Sequence, residues 1–109
     1  MDILKLTQEN WKSELEANPN MVIKFYADWC GNCRLIAPKF KKLAGEVKFE
    51  HVAFTEVDAE TNKEMRDWVG GVDNLPYFAV VKDGKVVHKD FTSKIENVEK
   101  MANSLISEN

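Results

Sequence analysis

The chain has few cysteines, and what it lacks narrows the field before any motif is read. Two cysteines in 109 residues cannot staple a small secreted scaffold, which relies on several bridges. Two histidines, His51 and His88, are poor company for those cysteines in a zinc site, because they form no H-x₃₋₅-H pair. Both are expected to be ordinary strand residues, and no metal is expected. There is no basic excess. The formal net charge is −3 and no stripe of Lys and Arg interleaves with aromatic residues, which argues against nucleic acid as a partner. No apolar run approaches the roughly 20 residues of a membrane span, and Met1-Asp2-Ile3-Leu4-Lys5 has no leader pattern. Without membrane segment, export signal or structural cysteine, the expected compartment is the cytoplasm. The length suits one core and not two, so residues 1–109 are expected to form a single domain, and a monomer is expected. There is no repeat, linker or low-complexity tract.

What is present is concentrated in one place. Both cysteines fall in Trp29-Cys30-Gly31-Asn32-Cys33, between the apolar run Met21–Ala27 and a stretch, Cys33 to Ala44, that carries Ile36, Phe40 and Leu43 at helical spacing. The run reads as a buried strand, so the pair straddles a strand-to-helix junction. A thiol at a helix start faces unpaired amide N–H groups and the positive end of the helix dipole, and both favour the thiolate. Two cysteines separated by two residues can also close a small disulfide ring, which stores and releases two electrons. Cys30, at the junction and flanked by Trp29 and Gly31, is the expected nucleophile. Cys33, inside the helix, is expected to be more shielded and to resolve the mixed disulfide. A plain disulfide or two idle thiols is the competing reading, and the helix-start position weighs against it.

The rest of the chain reads as alternating strands and helices. Ile3–Leu6 predicts a short strand, and Thr7 can cap a helix through Trp11 and Leu15 that ends at Asn18-Pro19-Asn20. Gly45 lies near the end of the helix after the cysteines, and Pro38 inside it should kink it. His51–Asp58 predicts a strand, Thr61–Val69 a helix stopped by Gly70-Gly71, and Tyr77–Val81 a strand buried on both faces. Asp83-Gly84 is a hairpin signal returning Lys85–Phe91, and Ile95, Val98, Ala102 and Leu105 line one face of a last helix. Lys39, Lys41 and Lys42 form the solvated face of the cysteine-bearing helix. Trp11 and Trp68 fall in helices and read as packing, whereas Trp29 follows the apolar run and reads as a contact surface.

With these pieces in place the chain resembles the thioredoxin family over nearly its whole length. The resemblance rests on Phe25-Tyr26-Ala27-Asp28-Trp29-Cys30-Gly31-Asn32-Cys33, Ala37-Pro38, Val57-Asp58, Asn74-Leu75-Pro76 and Lys82-Asp83-Gly84. It implies an α/β thioredoxin fold, with a mixed sheet of about five strands flanked by about four helices. It implies a thiol–disulfide oxidoreductase acting on protein disulfides, with no cofactor beyond the Cys30–Cys33 disulfide and a thioredoxin reductase-like electron donor. Trp29, Gly31, Asn32, Leu75 and Pro76 are the implied substrate contacts, and the Leu75–Pro76 bond is implied to be cis, although trans is the commoner state of X-Pro bonds. A nucleophile pKa of about 7 also comes with the resemblance and not from this sequence.

Four positions depart from the family. Asn32 replaces a proline, Phe54 a lysine and Thr92 a glycine, and Lys24 stands where a buried acid usually manages the protons of the second cysteine. Lys24 is anomalous on physical grounds alone, as the one charge in a seven-residue apolar strand. A buried ammonium must be paired or lose its proton. Glu56 is the expected partner; the alternative is that Lys24 reaches solvent. If buried near Cys33, Lys24 would modulate the thiol pKa. Two other functions stay open: an interaction module docking partners through Trp29 and Leu75-Pro76, and an isomerase-like activity. Family values of about −270 mV for thioredoxin and −180 mV for protein disulfide isomerase bracket the range.

Overall fold

The apolar run becomes the central strand of the sheet. The computed structural model describes residues 2–106; Met1 and residues 107–109, the ends of the expected domain, lie outside the described residues. Strand β1 (Leu4–Lys5) and helix α1 (Trp11–Ala17) lead into β2 (Asn20–Tyr26) and α2 (Gly31–Ala44). Then come β3 (Ala53–Asp58), α3 (Lys63–Trp68), β4 (Tyr77–Lys82), β5 (Lys85–Phe91) and α4 (Ile95–Asn103). The sheet has the order β1-β3-β2-β4-β5. β2 pairs parallel with β3 from Met21↔Ala53 to Tyr26↔Asp58 and antiparallel with β4 from Asn20↔Lys82 to Phe25↔Tyr77. The expected mixed five-stranded sheet with four helices is therefore present.

Because side chains alternate along a strand, β2 feeds two cores. Val22 packs with Ile36 and Phe40 of α2, Phe54, Phe78 and Val98 of α4. Met21, Ile23 and Phe25 pack on the other face with Trp11 of α1, Val57 and Met65 of α3. Phe40 lies 5.3 Å from Phe54 and 5.6 Å from Phe78, ring centre to ring centre. Trp11 and Trp68 are 5.5 Å apart, as packing residues should be. Lys24 shares the face of Val22, the face that α2 covers.

Several boundaries move, each for a local reason. Thr7 caps the turn before α1: its hydroxyl accepts the Asn10 N–H at 3.1 Å while Asn10 Oδ1 accepts the Thr7 N–H at 2.7 Å, a reciprocal cap. α2 starts at Gly31, not Cys33. β3 starts at Ala53, not His51, because a 3₁₀ turn at Val47–Phe49 buries Phe49 and closes with Val52 N–H on Phe49 O at 3.0 Å. His51 is thus an exposed turn residue and not a strand residue. Asn62 caps α3 by accepting the Met65 N–H at 3.0 Å, which delays that helix to Lys63. Asp83 (φ 52°) and Gly84 (φ 82°) both take the left-handed conformation of a two-residue hairpin turn.

Phe40 has no exposed surface, so Phe40→Ala should lose about 3–5 kcal/mol of stability in urea unfolding. Leu35 on the same helix is 72% exposed, and Leu35→Ala should stay within about 0.5 kcal/mol of the parent.

Candidate active site

The site forms where β2 runs out of sheet. Past Tyr26 the chain turns through Asp28 and Trp29, with Cys30 N–H donating to Ala27 O at 3.1 Å. Cys30 is the N-cap of α2, extended at φ −85° and ψ 106°, and its Sγ accepts the Cys33 N–H at 3.1 Å. The sulfur therefore occupies the place that a serine or aspartate oxygen takes at other helix starts, satisfying one of the free amides. Cys30 and Cys33 are joined by a disulfide, with their Cα atoms 5.3 Å apart. Gly31 and Asn32 are exposed, and a Cβ on Gly31 would meet no atom within 4 Å. That leaves free space directly beside the sulfurs.

The expected difference in cover between the cysteines is absent. Cys30 is 5% exposed and Cys33 4%. In the disulfide each sulfur covers the other, and Tyr26 and Leu75 pack on the pair. What distinguishes the two is position: Cys30 caps the helix, whereas Cys33 lies within its first turn.

Two hollows lie near the disulfide, one lined by Leu75, which packs on it, and the other by Cys33 itself. The first, about 360 Å³, is lined by Trp29, Glu60, Arg66, Val72, Asp73 and Leu75. Trp29 is 66% exposed, and its indole N–H donates to Glu60 Oε2 at 2.8 Å, which ties the ring to the loop after β3. The Leu75–Pro76 bond is cis. Pro76 is buried and its carbonyl accepts the Thr92 N–H at 3.3 Å. The Thr92 hydroxyl turns away, receiving the Lys94 N–H at 3.1 Å and the Asn97 amide at 2.9 Å. Thr92 thus ties the end of β5 to the start of α4.

The second hollow, about 220 Å³, lies on the other side and is lined in part by Lys24, Tyr26, Asp28, Cys33, Arg34 and Glu56. The Lys24 side chain is 5% exposed, so it does not reach solvent; its Nζ stands 3.5 Å from Glu56 Oε1, directly across the β2–β3 register. The ammonium also sits 5.2 Å from the centre of the Phe40 ring. Burial pushes the Lys24 pKa below its ordinary 10.5, and the Glu56 carboxylate opposes that shift. Phe54 fills core space against Phe40 and Phe49. The structure therefore brings together Lys24, Trp29, Cys30, Gly31, Asn32, Cys33 and Leu75-Pro76. Sequence reading missed Glu60, Arg66 and Tyr26. Tyr26 could have been found as the last residue of the strand, but the Trp29–Glu60 contact spans 31 positions and left no local signal.

The thioredoxin family model matches residues 2–106. The chain belongs to the thioredoxin family. It is 37% identical over 102 residues to thioredoxin H2-2 of Oryza sativa subsp. japonica, covering 91% of this chain and 72% of that protein. Protein disulfide-isomerase of Oryctolagus cuniculus is 32% identical over 95 residues, 84% of this chain, but the chain spans only 18% of its length. A chain of the solved complex of ferredoxin:thioredoxin reductase and thioredoxin f2 superimposes with a TM-score of 0.87 at 26% identity, over 97% of this chain and 96% of that one. With the Cys30–Cys33 disulfide at the start of α2, this thioredoxin-family chain is a protein disulfide oxidoreductase. Among the described residues no helix is long and apolar enough to cross a membrane, and no three His, Cys, Asp or Glu side chains gather as a metal site would require.

The depressed Lys24 pKa carries a stability prediction. Below both the folded pKa and the unfolded 10.5, folding holds an ammonium in a poor medium and the full penalty applies. As pH rises through the folded value towards 10.5 the native state sheds its proton first, and the penalty fades. Glu56 is 28% exposed and can be hydrated alone. Lys24→Met should therefore gain about 1 kcal/mol at pH 7, and the gain should shrink at pH 10. Urea unfolding at the two pH values checks both the sign and the trend.

Proposed function

We propose that this chain reduces disulfides in protein substrates, with Cys30 as nucleophile and Cys33 as resolving thiol. The observation that carries the reading is the Cys30–Cys33 disulfide with Cys30 as the N-cap of α2. A Cys30 thiolate at that position faces helix amides and the positive dipole end, which stabilise it without a cofactor. It attacks one sulfur of the substrate, a Cys30–substrate bond forms, and the substrate S–S bond breaks with its other sulfur leaving as thiolate. The Cys33 thiolate then attacks Cys30 Sγ, closing the internal disulfide and expelling the second substrate sulfur. The substrate gains two electrons and the protein loses them, so the disulfide itself is the only redox group required.

Substrate would lie against Trp29, Gly31, Asn32 and Leu75-Pro76, on the side of the sulfurs where Trp29 and Leu75 share a hollow. The open space at Gly31 and the exposed Trp29 ring support this placement. A thioredoxin reductase-like donor would restore the dithiol; the solved complex of ferredoxin:thioredoxin reductase with thioredoxin f2 supports a donor of that kind. The working form would be a monomeric single domain in the cytoplasm, an assignment supported by the lack of structural cysteines beyond the redox pair. The docking-module alternative is not favoured, since it leaves the closed disulfide without a role. The isomerase alternative is also not favoured, because the thioredoxin relative shares far more of its length with this chain.

The test is insulin reduction with dithiothreitol as electron source, together with an immobilised Cys33→Ser variant passed through extract. Turnover by the parent and reductant-releasable mixed disulfides on the variant are expected, because nothing resolves the first product. Neither turnover nor trapping would leave only a docking role.

Asn32 should tune the direction. Asn32→Pro restricts φ between the cysteines and removes an N–H. It should make the protein about 30 mV more reducing, roughly tenfold in the glutathione equilibrium constant. Equal constants for parent and variant would remove Asn32 as the tuning element.

A further inference from the structure

Lys24 is buried and lines the same hollow as Cys33. The proposed exchange leaves it without a role, yet the geometry points to one. When a donor thiolate attacks Cys30 Sγ, a new S–S bond forms to Cys30 and the Cys30–Cys33 bond breaks. The electron pair leaves on Cys33 Sγ, so a full negative charge appears on the wall of the hollow that holds the amine.

The charged and titratable groups around that hollow differ in how well water screens them. From α2, the Arg34 guanidinium is drawn outward to the Asp28 carbonyl at 2.6 Å and the residue is exposed. Asp28, in the preceding loop, is exposed as well. Glu56, from β3, keeps 28% of its side chain in solvent. Tyr26, at the end of β2, is partly covered and has Lys5 of β1 standing 5.9 Å from its ring. β4 contributes Phe78, which is apolar, opposite Lys24. Lys24 alone among the charges is almost wholly enclosed, so its field on Cys33 is the least attenuated. Three contacts favour the protonated amine there: the Glu56 carboxylate at 3.5 Å, and the rings of Phe40 at 5.2 Å and Tyr26 at 6.0 Å, which attract a cation and not a neutral amine.

We propose that the Lys24 ammonium, held in place by Glu56, stabilises the Cys33 thiolate across this hollow and so draws the disulfide–dithiol equilibrium toward the dithiol. The proposal deepens the reductase reading and rests on it. Lys24 sets how oxidising the disulfide is, and Glu56 acts as a positioning residue through it. A stabilised Cys33 thiolate also leaves more readily when the disulfide is opened.

The experiment compares parent, Lys24→Met and Lys24→Arg in the glutathione equilibrium, and in the pH titration of thiolate absorbance at 240 nm. The titration is run in a Cys30→Ser background so that only Cys33 is seen. Lys24→Met should shift the equilibrium constant about tenfold toward the disulfide, which is about 30 mV for a two-electron couple. It should also move the Cys33 titration to higher pH. Lys24→Arg keeps a charge that cannot be lost and should restore most of both effects. Lys24→Met values equal to the parent would overturn the proposal. With thermal unfolding showing an intact fold, Lys24→Arg tracking Lys24→Met would overturn it too, in favour of the neutral amine as proton acceptor. Should the Met variant fail to fold, Lys24→Gln keeps a polar contact to Glu56 and gives the same reading. Failure of the parent to reduce insulin would sink the reductase function while leaving these equilibria measurable, so the two ideas fail separately.

Discussion

The molecule depends on β2 being immobile. Six of its residues pair with β3 and six with β4, and five of its seven residues are buried. A strand bonded on both edges and packed on both faces has almost no freedom at its end, and its end is where the cysteines begin. α2 is fixed in turn by Ile36, Phe40 and Leu43 in the core. The short turn between these two rigid bodies must deliver Cys30 to the helix start and Cys33 one turn in. Placing a reactive sulfur within a few tenths of an ångström takes two elements held independently of the turn itself.

That arrangement gives the disulfide two unlike sides. Toward the Trp29 groove lie an exposed indole, the half-buried Leu75 and open space at Gly31, the kind of surface on which an extended peptide can lie. Toward the other hollow lies a buried Lys24 paired with a partly hydrated Glu56. The helix terminus acts on Cys30 through fixed backbone groups, which no pH in the working range can alter. The ion pair faces Cys33 through titratable side chains, which pH and substitution can alter. On the roles proposed for Cys30 and Lys24, nucleophile strength and redox balance rest on separate elements of the fold.

The parts visible in sequence were those set by local pattern. The strand-to-helix junction followed from an apolar run meeting helical spacing, and the Asp83-Gly84 turn from two residues that tolerate positive φ. Lys24 was visible because a lone charge in an apolar strand is a physical anomaly, and Glu56 because parallel register brings equal parities together. What escaped notice was set by tertiary packing. His51 reads as the start of a strand, but the core draws Phe49 into a 3₁₀ turn, and that displaces His51. Thr92 stands out in sequence only as a departure from the family's glycine, whereas in the fold its hydroxyl is committed to the start of α4. The equal cover of the two cysteines follows from the closed disulfide and from Leu75, 42 positions beyond Cys33 in the chain, which no local window contains.

The position of Lys24 can be weighed as architecture. Strand parity turns residue 24 toward α2, into a layer otherwise built from Val22, Phe40, Phe54 and Phe78. An apolar side chain of similar length would satisfy that layer without desolvating a charge, and buried ion pairs are often replaced by hydrophobic groups at no loss of stability. Packing therefore gives no reason for an ammonium here. Location does supply one: position 24 is near the end of β2, where the core opens into the hollow beside Cys33 and where Glu56 still reaches water. One residue pair nearer the middle of the strand, at Val22 and Phe54, both side chains are buried, and the carboxylate would lose its hydration. One pair further, at Tyr26 and Asp58, neither side chain is buried, and solvent would screen a charge on β2 from the sulfur. At this register the charge has a partly hydrated partner in Glu56 and shares a hollow with Cys33.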